Sequence, residues 1–158
     1  MPSLMKSINA ISRCAGLYRG DRLEGTELGA PHHSYLLYIC RHPGVPQETI
    51  AKEIYINKSN VTRQLAYLEK CGYVERRQSD KDKRMILVYP TQKALDAMPL
   101  IHDIIRDWNA YLTEELTAEE RDMLEGLLAV LANRAKRYVS EAMALEETTK
   151  GNPKDSER

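Results

Sequence analysis

The chain has 158 residues, of which 42% are hydrophobic and 29% are charged, and its formal net charge is zero. This length favours one domain with a buried core, and the composition excludes a disordered chain. No apolar run is long enough to cross a bilayer and no signal peptide is recognisable, so we expect a cytoplasmic protein.

The N-terminal part of the chain predicts two helices separated by a loop. Apolar residues recur at helical spacing over residues 4–18, and residues 33–40 form a second, short helical pattern that the sequence His-Pro-Gly ends. The loop between them is predicted from four glycines, Gly16, Gly20, Gly25 and Gly29.

The next two predicted helices have the spacing of a helix-turn-helix. The first opens at Pro46, and its inward-facing residues are expected to be Ile50, Ala51 and Ile54. The second begins at Asn57, whose side chain can accept hydrogen bonds from the free N–H groups of the first turn. Its outer face, which has no carboxylate, lies opposite an apolar stripe formed by Val61, Leu65 and Leu68.

An Arg-rich β-hairpin is predicted directly after this helix. Residues 73–77 and 84–89 have the pattern of strands, and a polar turn joins them. From Lys58 to Arg84 the chain has eight Lys or Arg residues and four acids, so this segment has a net charge of +4. Concentrated positive charge beside a polar helix face is typical of a surface that binds nucleic acid.

Two further helices are predicted in the C-terminal part of the chain. Thr91 should cap a helix that extends to about residue 116, and Pro99 should kink or locally break it. The sequence Thr-Ala-Glu-Glu at residues 117–120 has the pattern of a capping box that begins the last helix. From about residue 146 the chain is polar, which predicts a disordered tail.

The segment from Asn57 to Arg76 resembles the recognition helix of the MarR (multiple-antibiotic-resistance regulator) family. The segments Asp80–Arg84 and Tyr89–Ala94 are similar to the wing of that family and to the start of its next helix. The similarity covers roughly residues 7–139, and its most specific part is Leu-Glu-Lys-x-Gly-Tyr-Val followed by Asp-x-Arg.

This resemblance implies a mostly α-helical fold with a small β-hairpin wing. Its parts are an N-terminal dimerisation helix and loop (1–30), a winged helix-turn-helix DNA-binding domain (31–90), C-terminal dimerisation helices (91–145) and the disordered tail (146–158). The first and last helices also have more apolar residues than one small domain needs, which predicts a homodimer. Two-fold symmetry then requires a palindromic operator in double-stranded DNA, with half-sites about 10 bp apart.

Candidate DNA-binding residues lie on the recognition helix and on the hairpin. Those expected in the major groove are Ser59, Asn60, Thr62 and Arg63, and Arg63 is best placed for a guanine edge. Those expected at phosphates are Lys58, Tyr67, Lys70, Arg76, Arg77, Lys81 and Lys83. Arg84 resembles the wing arginine of the family, which can reach into the minor groove, and Asp82 is expected to pair with it and set its direction. The alternatives are a solvated helix face and a surface ion pair.

Cysteine and histidine residues suggest neither a disulfide framework nor a metal site. The cysteines are odd in number in an expected reducing compartment, and only Cys14 is a candidate for the oxidant-sensing thiol found in some relatives. Position 106, four residues after His102, is Arg, and the adjacent His32 and His33 cannot share a helix face. No cofactor is expected.

The resemblance also implies control by a small aromatic or anionic effector. Its pocket is expected where the dimer helices meet the winged domain, with Arg13 as an anion partner and an aromatic lining of Tyr35, Tyr38, Trp108 and Tyr111. Aromatic core packing would explain the same residues equally well.

Two functions are therefore possible. The first is a homodimeric transcription regulator, a repressor that an effector releases from its operator. The second is a winged-helix module for protein–protein interaction, which would not need the carboxylate-free helix face or the positive segment. An enzyme is not expected, because the sequence groups no nucleophile, base and orienting residue and has no Gly-rich phosphate loop.

Overall fold

A computed structural model describes the backbone of residues 3–150 and the side chains of residues 3–142. The chain divides into two compact units, residues 1–111 and residues 112–158. The elements, in chain order, are α1 (Leu4–Arg22), α2 (His32–Arg41), β1 (Val45–Pro46), α3 (Gln47–Glu53), α4 (Lys58–Lys70), β2 (Val74–Gln78), β3 (Ile86–Pro90), α5 (Gln92–Leu112) and α6 (Ala118–Lys150). This mostly helical fold with a small β wing confirms the predicted fold class.

Helix α1 is longer than its apolar pattern predicted. Gly16 and Gly20 lie inside it, so the prediction that they belong to a loop was wrong. Each glycine lowers helix stability by about 1 kcal/mol relative to alanine, but tertiary contacts hold the helical turn between Gly16 and Gly20. Tyr18 stacks on Trp108 of α5 with the ring centroids 5.0 Å apart, and the Nε of Arg19 donates to the carbonyl of Ala30 at 3.2 Å.

The core of the first unit lies between α2, α3, α4, α5 and the sheet. Ile50 and Ala51 of α3 are buried and Ile54 packs against the core, as their spacing predicted. The fully buried residues of α2 and of α4 that meet them are Tyr35, Leu36, Ile39, Val61, Leu65 and Leu68. This burial fixes which face of α4 is turned outward.

The sheet has three antiparallel strands in the order β1-β3-β2. Strands β2 and β3 form the predicted hairpin, but β3 begins at Ile86 because the backbone N–H of Met85 bonds to the carbonyl of Asp82 in a turn. Strand β1 was not predicted. It has only two residues, and its pairing of Val45 with Val88 joins positions far apart in the sequence.

Helix α5 is continuous through Pro99, so the local break expected there does not occur. The missing hydrogen bond is offset by burial of Ile101 and Ile104 on the inner side of the helix. The Oγ1 of Thr91 accepts from the backbone N–H of Ala94 at 3.4 Å, as expected for a cap, but the helix ends at Leu112, four residues earlier than predicted.

In the second unit, α6 begins with the predicted capping box. The backbone N–H of Glu120 donates to Thr117 Oγ1 at 3.2 Å, and the backbone N–H of Thr117 donates to Glu120 Oε2 at 2.9 Å. The helix continues to Lys150, because its Ala-, Leu- and Glu-rich sequence favours helix. It thus includes residues 146–150 of the predicted disordered tail, and residues 151–158 lie outside the described residues.

A helix that crosses a bilayer must be about 20 residues long and predominantly apolar. None of the described helices is both long enough and apolar enough to cross a bilayer.

Candidate nucleic-acid interface

The start of α4 is fixed by Asn57, as its sequence predicted. Asn57 Oδ1 accepts from the backbone N–H of Asn60 at 2.8 Å and from Ser59 Oγ at 3.0 Å. One exposed donor of the first turn is thereby satisfied by a side chain. Ser59 is therefore partly engaged in the cap, although it remains exposed at the tip of the helix.

The end of α4 is fixed by Gly72, which has a φ of 81°. The backbone N–H of Gly72 bonds to the carbonyl of Glu69 and that of Tyr73 bonds to the carbonyl of Leu68, both at 2.9 Å. This pair of bonds is a Schellman motif, and it needs a residue that tolerates positive φ. The motif turns the chain directly from α4 into β2.

The outward face of α4 is exposed and has no carboxylate. Its residues, opposite the buried stripe, are Ser59, Arg63, Ala66 and Lys70. Beside them, Thr62 Oγ1 donates to the carbonyl of Lys58 and accepts from Gln47 Nε2 of α3, both at 3.0 Å. The Nζ of Lys58 lies 3.5 Å from the carboxylate of Glu48, but both side chains are well exposed, so this ion pair is weak.

Arg76 is engaged in the fold and does not project toward a ligand. Its Nε and Nη2 donate to Glu69 Oε2 at 3.0 and 2.7 Å, and its backbone N–H donates to Glu69 Oε1 at 2.9 Å. These bonds hold the pKa of the Glu69 carboxyl below its usual range. We call Glu69 and Arg76 the wing root, because they fasten the first strand of the wing to α4. The expectation of a phosphate contact from Arg76 does not fit this arrangement.

Tyr67 is likewise engaged within the protein. Its hydroxyl donates to the carbonyl of Glu27 at 2.8 Å, and its ring stacks on His32 with the centroids 5.2 Å apart. Since the hydroxyl proton is already donated, it is not available to a phosphate oxygen in this arrangement. Sequence alone predicted the exposure of Tyr67, which is 42%, but not its partner 40 residues away.

The wing tip, defined here as Lys81, Lys83 and Arg84, is exposed. Among the side chains that the structure describes, these three form no ion pair. The sequence predicted that Asp82 pairs with the guanidinium of Arg84, but the structure does not contain this pair. The Oδ1 of Asp82 instead accepts from the backbone N–H of Arg84 at 2.9 Å, because the turn brings that N–H next to the carboxylate. Asp82 therefore shapes the backbone that presents Arg84.

Arg77 lies between the wing root and the wing tip. Its Nη2 donates to Glu75 Oε2 at 2.6 Å, and its guanidinium lies 4.7 Å from the ring centroid of Tyr89. Both carboxylate and guanidinium are exposed, which leaves Arg77 able to exchange this partner for a phosphate.

Glu27, which sequence analysis did not single out, joins α5 and Tyr73, the residue before β2, to the loop after α1. Its carboxylate accepts from Lys93 Nζ at 2.9 Å and from the hydroxyl of Tyr73 at 3.1 Å. Burial and this carboxylate raise the pKa of Tyr73 to about 12. No sequence signal could have found this cluster, since its members lie 46 and 66 residues from Glu27.

The residues expected to line an effector pocket have separate surroundings in the structure. Tyr35 is buried in the core, and its hydroxyl has no partner among the described residues. Tyr38 stacks on His42, whereas Trp108 stacks between Tyr18 and Tyr111. Arg13 is exposed on α1.

A cleft of about 420 Å³ lies elsewhere, between α3 and the wing. None of the five expected pocket residues lines it. Its walls are formed by Pro46, Gln47, Glu48, Thr49, Lys52, Asp82, Arg84, Met85 and Ile86. The buried Gln47 Oε1 has no hydrogen-bond partner within the described part of the chain.

The cysteines are all unpaired thiols. Cys14 is exposed, and burial raises the pKa of Cys40. Over the described residues, no group of three or more His, Cys, Asp or Glu side chains could hold a metal ion. His32 and His33 are instead hydrogen-bonded to other groups, His32 to Gln64 and His33 to the carbonyl of Ala30.

Comparison with known proteins places this geometry in a family. Residues 26–85 match the family model described as the MarR family. The chain is similar to the HTH-type transcriptional regulator BilQ of Clostridium symbiosum, with 28% identity over 116 residues that make up 73% of this chain and 79% of the relative. It is also similar to the transcriptional repressor MprA of Escherichia coli, with 30% identity over 95 residues, 57% of this chain and 51% of the relative.

A solved structure has the same fold over nearly the whole length. It is a transcriptional regulator from Listeria monocytogenes, assigned to the MarR family and complexed with 26mer DNA. The TM-score is 0.80 at 24% identity, and the match covers 99% of this chain and 100% of that chain. The part of the chain that matches the MarR family of transcriptional regulators, residues 26–85, thus contains the helix-turn-helix and the first strand of the wing.

Proposed function

We propose that the protein is a homodimeric regulator of transcription that binds a palindromic site in double-stranded DNA. The observation that carries this proposal is the pairing of a carboxylate-free outward face on α4 with three unpaired cations at the wing tip. Such a pairing suits a duplex, because a helix fits the major groove while neighbouring cations neutralise phosphates. A protein-binding winged helix would have no need of it.

In this proposal the first turns of α4 enter the major groove. Base contacts come from Ser59, Asn60, Thr62 and Arg63. Backbone contacts come from Lys58, Lys70, Arg77, Lys81 and Lys83, and Arg84 reaches the adjacent minor groove. Arg76 and Tyr67, which sequence analysis placed at phosphates, serve to hold α4 and the wing in position.

Dimerisation is supported by apolar surface that each unit exposes. Leu4, Ile11 and Leu17 of α1 are 58%, 49% and 73% exposed. In α6, Leu124, Leu127, Leu128 and Leu131 follow one another at helical spacing and are 39–58% exposed. Contiguous apolar surface of this kind is rare on a monomer, and burial against a second copy removes it from water.

Repression and release by an effector are the finer parts of the proposal. Repression is supported by the name of the relative MprA, a transcriptional repressor. Control by a small molecule is supported by the cleft between α3 and the wing, since Arg84 and Asp82 are among its walls. An occupant that binds better to one position of the wing than to another would change DNA affinity by that difference.

The proposal is tested by selecting bound sequences from a pool of random duplexes with the full-length protein, and by measuring its mass in solution. We expect enrichment of a palindrome with half-sites about 10 bp apart and a mass of two chains. Enrichment of no sequence, with no retention of random duplex at low salt, would contradict DNA binding and favour the protein-interaction module. A monomer that selects a single half-site would contradict only the dimer.

A further inference from the structure

A chain of hydrogen bonds runs from the loop before α2 to the outward face of α4. It starts at the backbone N–H of Gly29, which lies 2.8 Å from Nδ1 of the buried His32. His32 Nε2 lies 2.9 Å from Gln64 Oε1, and Gln64 Nε2 lies 3.4 Å from Asn60 Oδ1. Arg63 Nη2 ends at the same Asn60 oxygen, at 3.0 Å.

The direction of every bond in this chain follows from its first donor. A backbone N–H can only donate, so His32 Nδ1 must carry no proton, and the neutral ring then carries its proton on Nε2. That proton requires an acceptor, which fixes Gln64 with its oxygen toward His32 and its amide nitrogen toward Asn60. Arg63 has donors only, so its bond to Asn60 independently identifies the bonded atom as the amide oxygen.

The neutral state of His32 is consistent with its surroundings. The ring is buried and stacked on Tyr67, and this burial lowers the pKa of His32. A neutral imidazole at neutral pH keeps the bond from Gly29 intact. The orientation of Asn60 is therefore set in part by His32 and Gln64, which are not expected to touch DNA.

We infer that His32 and Gln64 are positioning residues that make Asn60 a pure hydrogen-bond donor toward the major groove. Both acceptor sites of Asn60 Oδ1 are occupied within the protein, so only its Nδ2 hydrogens face outward. The bidentate contact of asparagine with adenine needs the amide oxygen and is excluded without a rearrangement. Asn60 therefore selects an exocyclic acceptor that adenine lacks, O6 of guanine or O4 of thymine, because N7 is an acceptor on adenine and guanine alike. This inference rests on the proposed DNA binding.

The base pair that Asn60 reads is located first. The duplexes recovered by selection are varied one base pair at a time and bound to wild type and to Asn60→Ala. The base pair at which wild type discriminates between bases and Asn60→Ala does not is assigned to Asn60. For the full-length wild type we expect guanine or thymine to be preferred over adenine there, by roughly five- to hundredfold. An adenine preference that disappears in Asn60→Ala would overturn the inference.

The positioning role is tested with Gln64→Met, which keeps the length of the side chain and removes its amide. We expect the preference at the Asn60 pair to fall severalfold, with other pairs unchanged. Gln92→Met, the same change on α5, is the matched control and should keep the wild-type profile. An unchanged preference in Gln64→Met would overturn the role of Gln64.

A measurement on free wild-type protein makes the test independent of how the variants fold. Nitrogen-15 NMR of the His32 ring should show Nε2 protonated and Nδ1 unprotonated at neutral pH. A protonated Nδ1 would overturn the inference at its first bond. If wild type binds no duplex at all, the proposed function fails, whereas specific binding with the wrong preference at the Asn60 pair refutes only this inference.

Discussion

The wing root and the wing tip both contain cationic side chains, but the surroundings of these side chains differ. At the wing root, the guanidinium of Arg76 is largely buried and makes two hydrogen bonds to the carboxylate of Glu69. At the wing tip, Lys81, Lys83 and Arg84 are exposed, and within the described residues they have no ion-pair partner. Both regions contribute to the same +4 segment. Charge counted along a sequence therefore overstates how much of it is available to DNA.

This comparison separates two kinds of cation. A cation at the wing root stabilises the folded protein, and its removal should be seen in unfolding. A cation on the outward surface adds little to stability, because water solvates it equally well in the unfolded chain. Its removal should be seen only in binding. The difference between the two kinds of cation gives four predictions.

The largest expected effect is on sequence-specific binding. Arg63→Ala should weaken binding to the selected palindrome by about 1–3 kcal/mol and relax one base pair, because a guanidinium contact to a guanine edge is lost. Lys70→Ala is the control on the same helix face. It should weaken specific and random duplexes alike, as a phosphate contact would. Equal losses on both duplexes for the two variants would refute this division of roles.

The next effect breaks the wing root itself. Arg76→Ala should lower the free energy of unfolding by about 1–2 kcal/mol, because two charge-assisted bonds are lost and the Glu69 carboxylate is left without them. Urea denaturation measures this. Arg77→Ala removes an exposed ion pair at the next residue of the same strand and should lower the free energy of unfolding far less than Arg76→Ala. If the two variants are equally stable, the wing root has no special role.

A smaller effect should appear in the pH dependence of stability. Since the pKa of Glu69 is lowered in the folded protein, its contribution is present above the unfolded pKa and is lost as pH falls through the folded pKa. Wild type should therefore lose more stability than Arg76→Ala between about pH 6 and about pH 3, by less than about 1 kcal/mol because Glu69 is partly exposed. Parallel pH profiles of the two proteins would contradict this linkage.

The smallest effect in energy is at the wing tip. Lys83→Ala should leave the unfolding midpoint unchanged and flatten the plot of log K against log salt by about 1.8 for random duplex, since the homodimer loses one phosphate contact in each protomer. Arg76→Gln serves as the comparison, because its guanidinium already pairs with Glu69. A salt dependence that Lys83→Ala leaves unaltered would place the wing tip away from the DNA backbone.

Local features of the fold could be predicted from the sequence. The Asn57 cap, the buried stripe of α4 and the capping box at Thr117 depend on residues within a few positions of one another, where spacing determines contact. The two glycines inside α1 were misassigned because the contacts that offset their cost come from α5 and from Ala30. Strand β1 was missed for the same reason, since only its distant partner makes it a strand.

The exposure of the candidate residues could be predicted from the sequence, but the hydrogen bonds among them could not. Exposure of Arg63 and Lys70 follows from helical periodicity alone. The engagement of Tyr67 with Glu27, and of His32 with Gln64, depends on where the loop after α1 packs, which no local pattern encodes. The aromatic lining of an effector pocket stays a prediction, because aromatic composition does not specify which rings meet.

The central claim is that the outward face of α4 and the wing tip bind duplex DNA electrostatically. It is tested most directly by measuring the affinity of the wild-type protein for random duplex over a range of salt concentrations. We predict that log K falls linearly with log salt. The slope should correspond to several phosphate contacts per homodimer. Absence of binding at the lowest salt, or binding that does not change with salt, would contradict it.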